Sequence, residues 1–362
     1  MRIKSKKTKK QELFESIGFL IILVFVFIAV YLIFNRVGSN DEQVVKREIA
    51  QQDDGEEIKK PEPYICLDCK RRSIDGVHVK AGKENLFPVA VMIENHVDSR
   101  PQSGLAKANL VFEAEAEGGI TRFMAVFADG EKIKEIGPVR SARAYYVDWA
   151  REFSPLYVHC GGSPEALVKI IKDKILDFNE FYKGSYFWRD KKRYAPHNVY
   201  TSSELLDKYL GSKDLSEGKF ESWGFKDDLP LERRPASSTI EIEFRTKDFF
   251  VEWVYDKDMN DYVRYMAGKQ HVDKDGEEIR AKNIAISYIK SQAYDNYGRL
   301  DMDNIGSGQA VICLDGKCEE GIWEKKTATS RMKFFDKEKE EIKFNAGTTW
   351  IEVVRPKYKV VY

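Results

Sequence analysis

Glu113, Glu115 and Glu117 stand two residues apart, with Ala114 and Ala116 between them. On a β-strand that spacing puts all three carboxylates on one face. Three like charges in a row repel unless arginines or a cation neutralise them. The row therefore suits a divalent metal such as Mg²⁺, held by Glu113 and Glu117, with Glu117 also a catalytic candidate. The plain alternative is a solvated sheet face. Arginines lie close by in the sequence: Arg122 closes Gly118-Gly-Ile-Thr-Arg122, and Arg140 and Arg143 belong to Gly137-Pro-Val-Arg-Ser-Ala-Arg143. With Ser141 capping a helix start, they could make forked contacts to an anion, or simply be surface arginines without a ligand. Gly161, Gly162 and Ser163 follow His159-Cys160 and precede a helix, an arrangement that can cradle a phosphate or carboxylate and that ordinary strand-to-helix turns also use. His197, in Pro196-His197-Asn198, is the second catalytic candidate as an acid or base near neutral pH; the other reading is a loop hydrogen bond. Arg189 precedes it as a further ligand-binding candidate. No GxSxG, HExxH or Walker-type loop occurs, which weighs against common hydrolase, zinc-protease and ATPase chemistries.

The elements that must hold these groups are legible from apolar runs and turn residues. Pro88 to Glu94, Asn109 to Glu113, Ile120 to Phe127 and Pro155 to Cys160 read as strands, and Ala142 to Phe153 as a helix. Ser163 as N-cap, Pro164 at N1 and Glu165 in the first turn mark a helix from Ala166 to Ile175. Thr201 and Glu204 have capping-box spacing before a helix reaching Leu210. Beyond a loop-rich segment the pattern changes to alternating runs such as Thr239-Ile-Glu-Ile-Glu-Phe-Arg245 and Thr349-Trp-Ile-Glu-Val. The expected architecture is an α/β N-terminal domain (64–215), a linker (216–238) and a mostly antiparallel β C-terminal domain (239–362), after a single N-terminal transmembrane helix.

Cys313 and Cys318 flank Leu314-Asp315-Gly316-Lys317, and Asp-Gly is a strong two-residue hairpin turn. Cys313 then faces Cys318 at a non-hydrogen-bonded position, close enough for a cross-strand disulfide. Cys66-Leu-Asp-Cys69 admits a local disulfide, half of a zinc site or a redox pair. Cys160 reads as a small apolar strand residue.

The 59 Lys+Arg balance the 59 Asp+Glu, so the surplus of positive charge that a nucleic-acid module needs is missing. A hydrophobic fraction of 43% excludes a disordered chain. Position matters more than the total. A basic tail (1–15) precedes Ile17 to Phe34, which carries no charge and would span roughly 27 Å as a helix. A membrane anchor (16–35) with a cytoplasmic N-terminus follows from the positive-inside bias, then a disordered tether (36–63) and extracytoplasmic domains. No cysteine at the end of the apolar run offers a lipid-anchor site.

Pro88-Val-Ala-Val-Met-Ile, Arg100-Pro-Gln-Ser-Gly-Leu, Glu117-Gly-Gly-Ile-Thr-Arg122, Gly137-Pro-Val-Arg-Ser-Ala-Arg143, Gly161-Gly-Ser163 and Ala195-Pro-His-Asn198, in that order, resemble the YerB-like bacterial family. The likeness extends over residues 85–355 through Asp315-Gly-Lys, Gly321-Ile-Trp323 and Gly347-Thr-Thr-Trp-Ile-Glu352. It implies a two-part domain of unknown function and an envelope location, many members being lipoproteins; it implies no reaction. The order of strands, Pro-x-Arg motif and diglycine is also similar to the LytR-CpsA-Psr envelope phosphotransferases. That likeness implies a polyprenyl pyrophosphate held by Arg122, Arg140 and Arg143, with Glu113 or Glu117 on Mg²⁺. Ser141 stands where that family usually has Asp.

The resulting expectation is an envelope protein that binds an anionic wall polymer or lipid-linked pyrophosphate through an arginine-rich cleft, with catalysis left open. A non-enzymatic module that binds a protein partner is the alternative.

Overall fold

An uninterrupted apolar run such as Val89-Ala-Val-Met-Ile93 must be covered on both faces, which a central sheet strand provides. The computed structural model, which describes residues 68–362, places β1 (Val89–Glu94), β2 (Leu110–Glu115) and β3 (Thr121–Phe127) at the centre, buried along their whole length. β4 (Leu156–His159) and β5 (Leu176–Asn179) run parallel to β1 on one side. β6 (Thr239–Glu243), β7 (Phe250–Asp256) and β8 (Asp261–Met266) make the body of a second, antiparallel sheet. The chain then returns to the first sheet with β9 (Asn283–Tyr288), β10 (Gly306–Leu314), β11 (Lys317–Lys325), β12 (Lys333–Phe335) and β13 (Thr349–Val354).

The main sheet has ten strands in the order β12-β11-β10-β9-β13-β2-β3-β1-β4-β5. β13, from the end of the chain, is inserted parallel to both β9 and β2. An α/β domain followed by a separate antiparallel β domain is therefore not the architecture. The described residues are mostly β, the two halves share one mixed sheet, and together they form one compact unit. The apolar runs do form strands, but their pairing partners lie far away in sequence. No helix among the described residues is long and apolar enough to cross a membrane. The expected anchor, the tether and Cys66 lie outside the described residues.

Among the described residues four short α-helices complete the fold: α1 (Ala144–Ala150), α2 (Pro164–Lys172), α3 (Glu180–Lys183) and α4 (Ser203–Gly211). Ser163 caps α2 by accepting from the Ala166 amide, as its sequence start predicts, whereas the cap of α4 is Ser202 rather than Thr201. One face of the main sheet packs Met92, Phe112 and Met124 against Tyr146 and Trp149 of α1. The other packs Val91, Phe123 and Trp350 against Ile240, Val251 and Trp253 of the second sheet. The β10–β11 hairpin has the expected register and carries the Cys313–Cys318 disulfide. Asp315 and Gly316 take the positive φ values (52° and 74°) that a two-residue turn of this hand requires.

Between the two sheets lies a buried charge network. Glu113 of β2 and Glu352 of β13 are cross-strand partners, and both are fully buried. Arg264 of β8, also fully buried, donates from Nη2 to Glu113 Oε2. Its guanidinium carbon lies 5.0 Å from the ring centre of Trp350 and 5.6 Å from those of Phe123 and Trp253. Burial, then the charge of Glu113, pushes the Glu352 carboxyl well above the usual range, which favours its neutral form. Trp253 donates to its Oε1 at 2.9 Å. On the far side of Arg264, Nη1 donates to His271 Nδ1 at 2.7 Å, and His271 Nε2 donates to Gln102 Oε1 at 2.9 Å. Burial and the charges of Arg264 and Arg100 hold His271 neutral.

Removing one member of a buried ion pair strands the other charge, which costs about 3–5 kcal/mol. R264M is expected to lose that much stability in equilibrium urea unfolding followed by tryptophan fluorescence. The double variant E113Q/R264M is expected to recover part of the loss, because neither charge is then left unpaired.

Candidate functional site

β1, β4 and β5 are parallel and finish on the same edge of the sheet, where ligands of open α/β sheets are usually bound. Antiparallel β3 begins there, so Arg122 is the cross-strand neighbour of Glu94, the last residue of β1. A short strap, Val139–Arg143, lies over this edge and is paired along its length with the segment Cys160–Ser163 that follows β4. The Arg140 amide donates to Met92 O at 2.8 Å, the Cys160 amide to Arg140 O at 3.0 Å, and Ser141 Oγ to Cys160 O at 2.9 Å. The edge thus brings Arg122, Arg140 and Arg143 together from two separate segments.

Glu94 is the hub. Its side chain is almost wholly buried; Oε1 pairs with Arg140 Nε at 2.7 Å and Oε2 with His197 Nδ1 at 2.8 Å. The His197 ring stacks on His96, with centroids 4.8 Å apart and planes 18° from parallel. Arg143 grips Glu117 with a two-bond fork, Nε to Oε1 at 2.5 Å and Nη2 to Oε2 at 2.7 Å. Burial raises the Glu117 carboxyl, but this fork and the charges of Arg143 and Arg122 outweigh it and hold the group below the usual range. Arg122 is different. It is only 4% exposed, donates from Nη1 to Ser141 O at 2.7 Å, and has no carboxylate at ion-pair distance among the described residues. Burial, then the neighbouring charges of Arg143 and Arg140, lower its pKa to about 10.

A family model described as "Protein of unknown function (DUF3048) N-terminal domain" matches residues 75–216, and the corresponding C-terminal domain model matches residues 240–351. The chain belongs to the DUF3048 family. A protein of Bacillus subtilis (strain 168) described as "Putative lipoprotein YerB" is 34% identical over 281 residues, covering 74% of this chain and 81% of that protein. The crystal structure of YerB from Bacillus subtilis superposes with a TM-score of 0.72 at 30% identity, covering 81% of this chain and all of that one. This DUF3048 chain therefore shares its fold with a solved relative.

The other candidates named from the sequence are placed elsewhere or already engaged. The three spaced acids of the DUF3048 chain go to three different arginines: Glu113 to Arg264, Glu115 to Arg355 at 2.6 Å, and Glu117 to Arg143. Glu113 and Glu115 share the face toward the second sheet, while Glu117 lies past the strand on the turn Glu117–Gly119. The structure does not bring Glu113 and Glu117 to one point, because each carboxylate is neutralised by a guanidinium from a different part of the chain. Two amides of this loop are engaged: Gly161 N donates to Asn179 Oδ1 at 3.0 Å and Ser163 N to Ala142 O at 3.1 Å. Gly162 forms a bridge with Ala142. These contacts hold the strap in place. Arg189 is bonded to Asn198 Oδ1 and Glu180 Oε1, both at 3.1 Å, and so has partners of its own. Cys160 is half-buried, its thiol pushed up to about 11 by burial and by Glu180. Cys69 is disulfide-bonded.

Sequence reasoning misses Glu94, which reads there only as the end of a strand. The signal is the polar triplet Glu94-Asn95-His96 closing an apolar run. A polar cluster at the carboxyl end of a buried parallel strand has to be satisfied by something.

Because the folded Glu117 carboxyl titrates below its unfolded value, the Arg143 pair stabilises above the ordinary carboxylate range and is lost as pH falls through the lowered value. E117Q is expected to cost about 1–2 kcal/mol in urea unfolding at neutral pH. The gap from wild type should shrink toward zero on acidification.

Proposed function

We propose that the carboxyl edge of the main sheet binds a phosphate-type anion, with Arg122 as the principal contact and Arg140 and Arg143 forming the flanks. The ligand class that fits is the pyrophosphate or phosphodiester of an anionic wall polymer or of a lipid-linked envelope precursor. One observation carries the reading: three clustered arginines face two carboxylates, Glu94 and Glu117, and the uncompensated one is the nearly buried Arg122. A buried guanidinium next to two like charges is costly, and an incoming anion would remove that cost through charge-assisted hydrogen bonds. Glu94 and Glu117 fix the flanking guanidinium groups in advance, which lowers the ordering cost of binding. The envelope part of the reading is supported by the lipoprotein description of the Bacillus subtilis relative.

A module that binds a protein partner is the second reading, favoured by the exposure of Val168, Ile171 and Tyr182 on α2 and α3. It leaves the charge surplus at Arg122 without a purpose, and is ranked behind.

Titration calorimetry with inorganic pyrophosphate and with a short-chain polyprenyl pyrophosphate tests the proposal. Wild type should bind, more weakly as salt is raised, and R122A should lose about thirtyfold or more in affinity, the loss of one to two charge-assisted bonds. R189A should bind like wild type. Failure of folded wild-type protein to bind either ligand would overturn the reading.

A further inference from the structure

A second group of side chains lies beside the arginines and is not used by them. The turn Val97–Ser99 follows β1 directly and is closed by Ser99, whose amide and Oγ donate to His96 O at 2.8 and 2.6 Å. The loop carrying His197 approaches from the other side. Arg193 fastens the two, with Nη1 donating to Asp98 O at 3.3 Å and Nη2 to Pro101 O at 2.8 Å. One donor atom each from His96, Asp98 and His197 lies within 4.8 Å of the others.

The hydrogen bonds around these groups set the imidazoles up as ligands. His197 gives its Nδ1 proton to Glu94, which leaves the lone pair of Nε2 outward. A carboxylate on the rear nitrogen of a histidine is the usual outer partner of a metal-bound imidazole, fixing its tautomer and raising its basicity. His96 Nδ1 accepts from the Asp98 amide at 3.2 Å, so its one lone pair is on that side of the ring and a metal ion there would replace this long hydrogen bond. The nitrogen lies 3.5 Å from Asp98 Oδ2, near the separation of about 3.3 Å between two ligands of one tetrahedral zinc ion. Asp98 is well exposed and free to complete the set by a side-chain rotation.

We infer that His96, Asp98 and His197 form a binding site for a first-row divalent transition metal of the Zn²⁺ type, with Glu94 as the orienting carboxylate. Two imidazoles and one carboxylate suit such an ion better than Mg²⁺, which prefers an all-oxygen shell. Three protein ligands leave a coordination position open, as in zinc sites that do chemistry. Glu94 holds His197 through one oxygen and Arg140 through the other, so the ion would stand next to the anion site proposed above. Metal binding itself does not rest on that proposal.

The test is metal titration of tag-free protein stripped with a chelator: Zn²⁺ by calorimetry and Co²⁺ by its visible absorption, both without added anion. One equivalent is expected to bind, and H96A/H197A should abolish that stoichiometric binding while circular dichroism shows a wild-type melt. If that variant is unstable, D98N serves as the second ligand variant and should weaken binding. E94Q should weaken Zn²⁺ binding by about 10–100-fold, the usual effect of losing an outer partner. R122A and C160S should bind the metal like wild type. Absence of stoichiometric binding to wild type, or full binding retained in H96A/H197A, would overturn the site. R122A separates the two proposals, since it should lose pyrophosphate and keep the metal.

Discussion

Arg264 reaches from the second sheet into the main sheet and neutralises Glu113, which stands next to a second buried carboxyl, Glu352. Three ionisable groups with no solvent access are tolerable only if charge is shared within the set. Glu352 is pushed toward its neutral form, Glu113 and Arg264 pair, and the other terminal guanidinium nitrogen meets a neutral histidine, while Nε is buried without a hydrogen-bond partner. The aromatic rings of Phe123, Trp253 and Trp350 enclose the charge. These contacts come from both halves of the chain, so neither half can satisfy its own polar groups alone. The shared sheet and the shared charge network enforce the same association.

The network does not stop in the core. His271 passes it to Gln102, which donates to Asn95 Oδ1 and Glu94 O, both at 3.0 Å. Asn95 donates in turn to Thr121 Oγ1 at 2.7 Å. The segment holding Glu94, His96 and Asp98 is thereby anchored to buried groups, although its outer residues face solvent. Rigid placement of Glu94 is what lets one carboxylate orient His197 and Arg140 together.

A formal charge of zero hides this local arrangement. On the face toward the second sheet, Glu113 and Glu115 meet Arg264 and Arg355; at the edge beneath the strap, arginines outnumber acids and leave Arg122 uncompensated. The same residue types are paired one to one in one place and leave a guanidinium without a carboxylate in the other. The difference is set by which partners the fold delivers, not by the side chains themselves.

Much of the local structure is legible in the sequence, because its signals act over a few residues. The buried runs of β1 and β3, the Ser163-Pro164 helix start and the Asp315-Gly316 hairpin with its disulfide follow from periodicity, capping and turn chemistry. The spacing of Glu113 and Glu115 places them on one face, and the arginines of the edge stand out as a group. Tertiary structure alone decided that β13 enters between β9 and β2, turning two expected domains into one sheet. It also decided which arginine meets which acid: Arg264 and Glu113 are 151 residues apart, and Glu94 and His197 are 103 apart. Strand pairing and ion pairing across such distances depend on the total burial of the folded chain. No short-range pattern in the sequence records them.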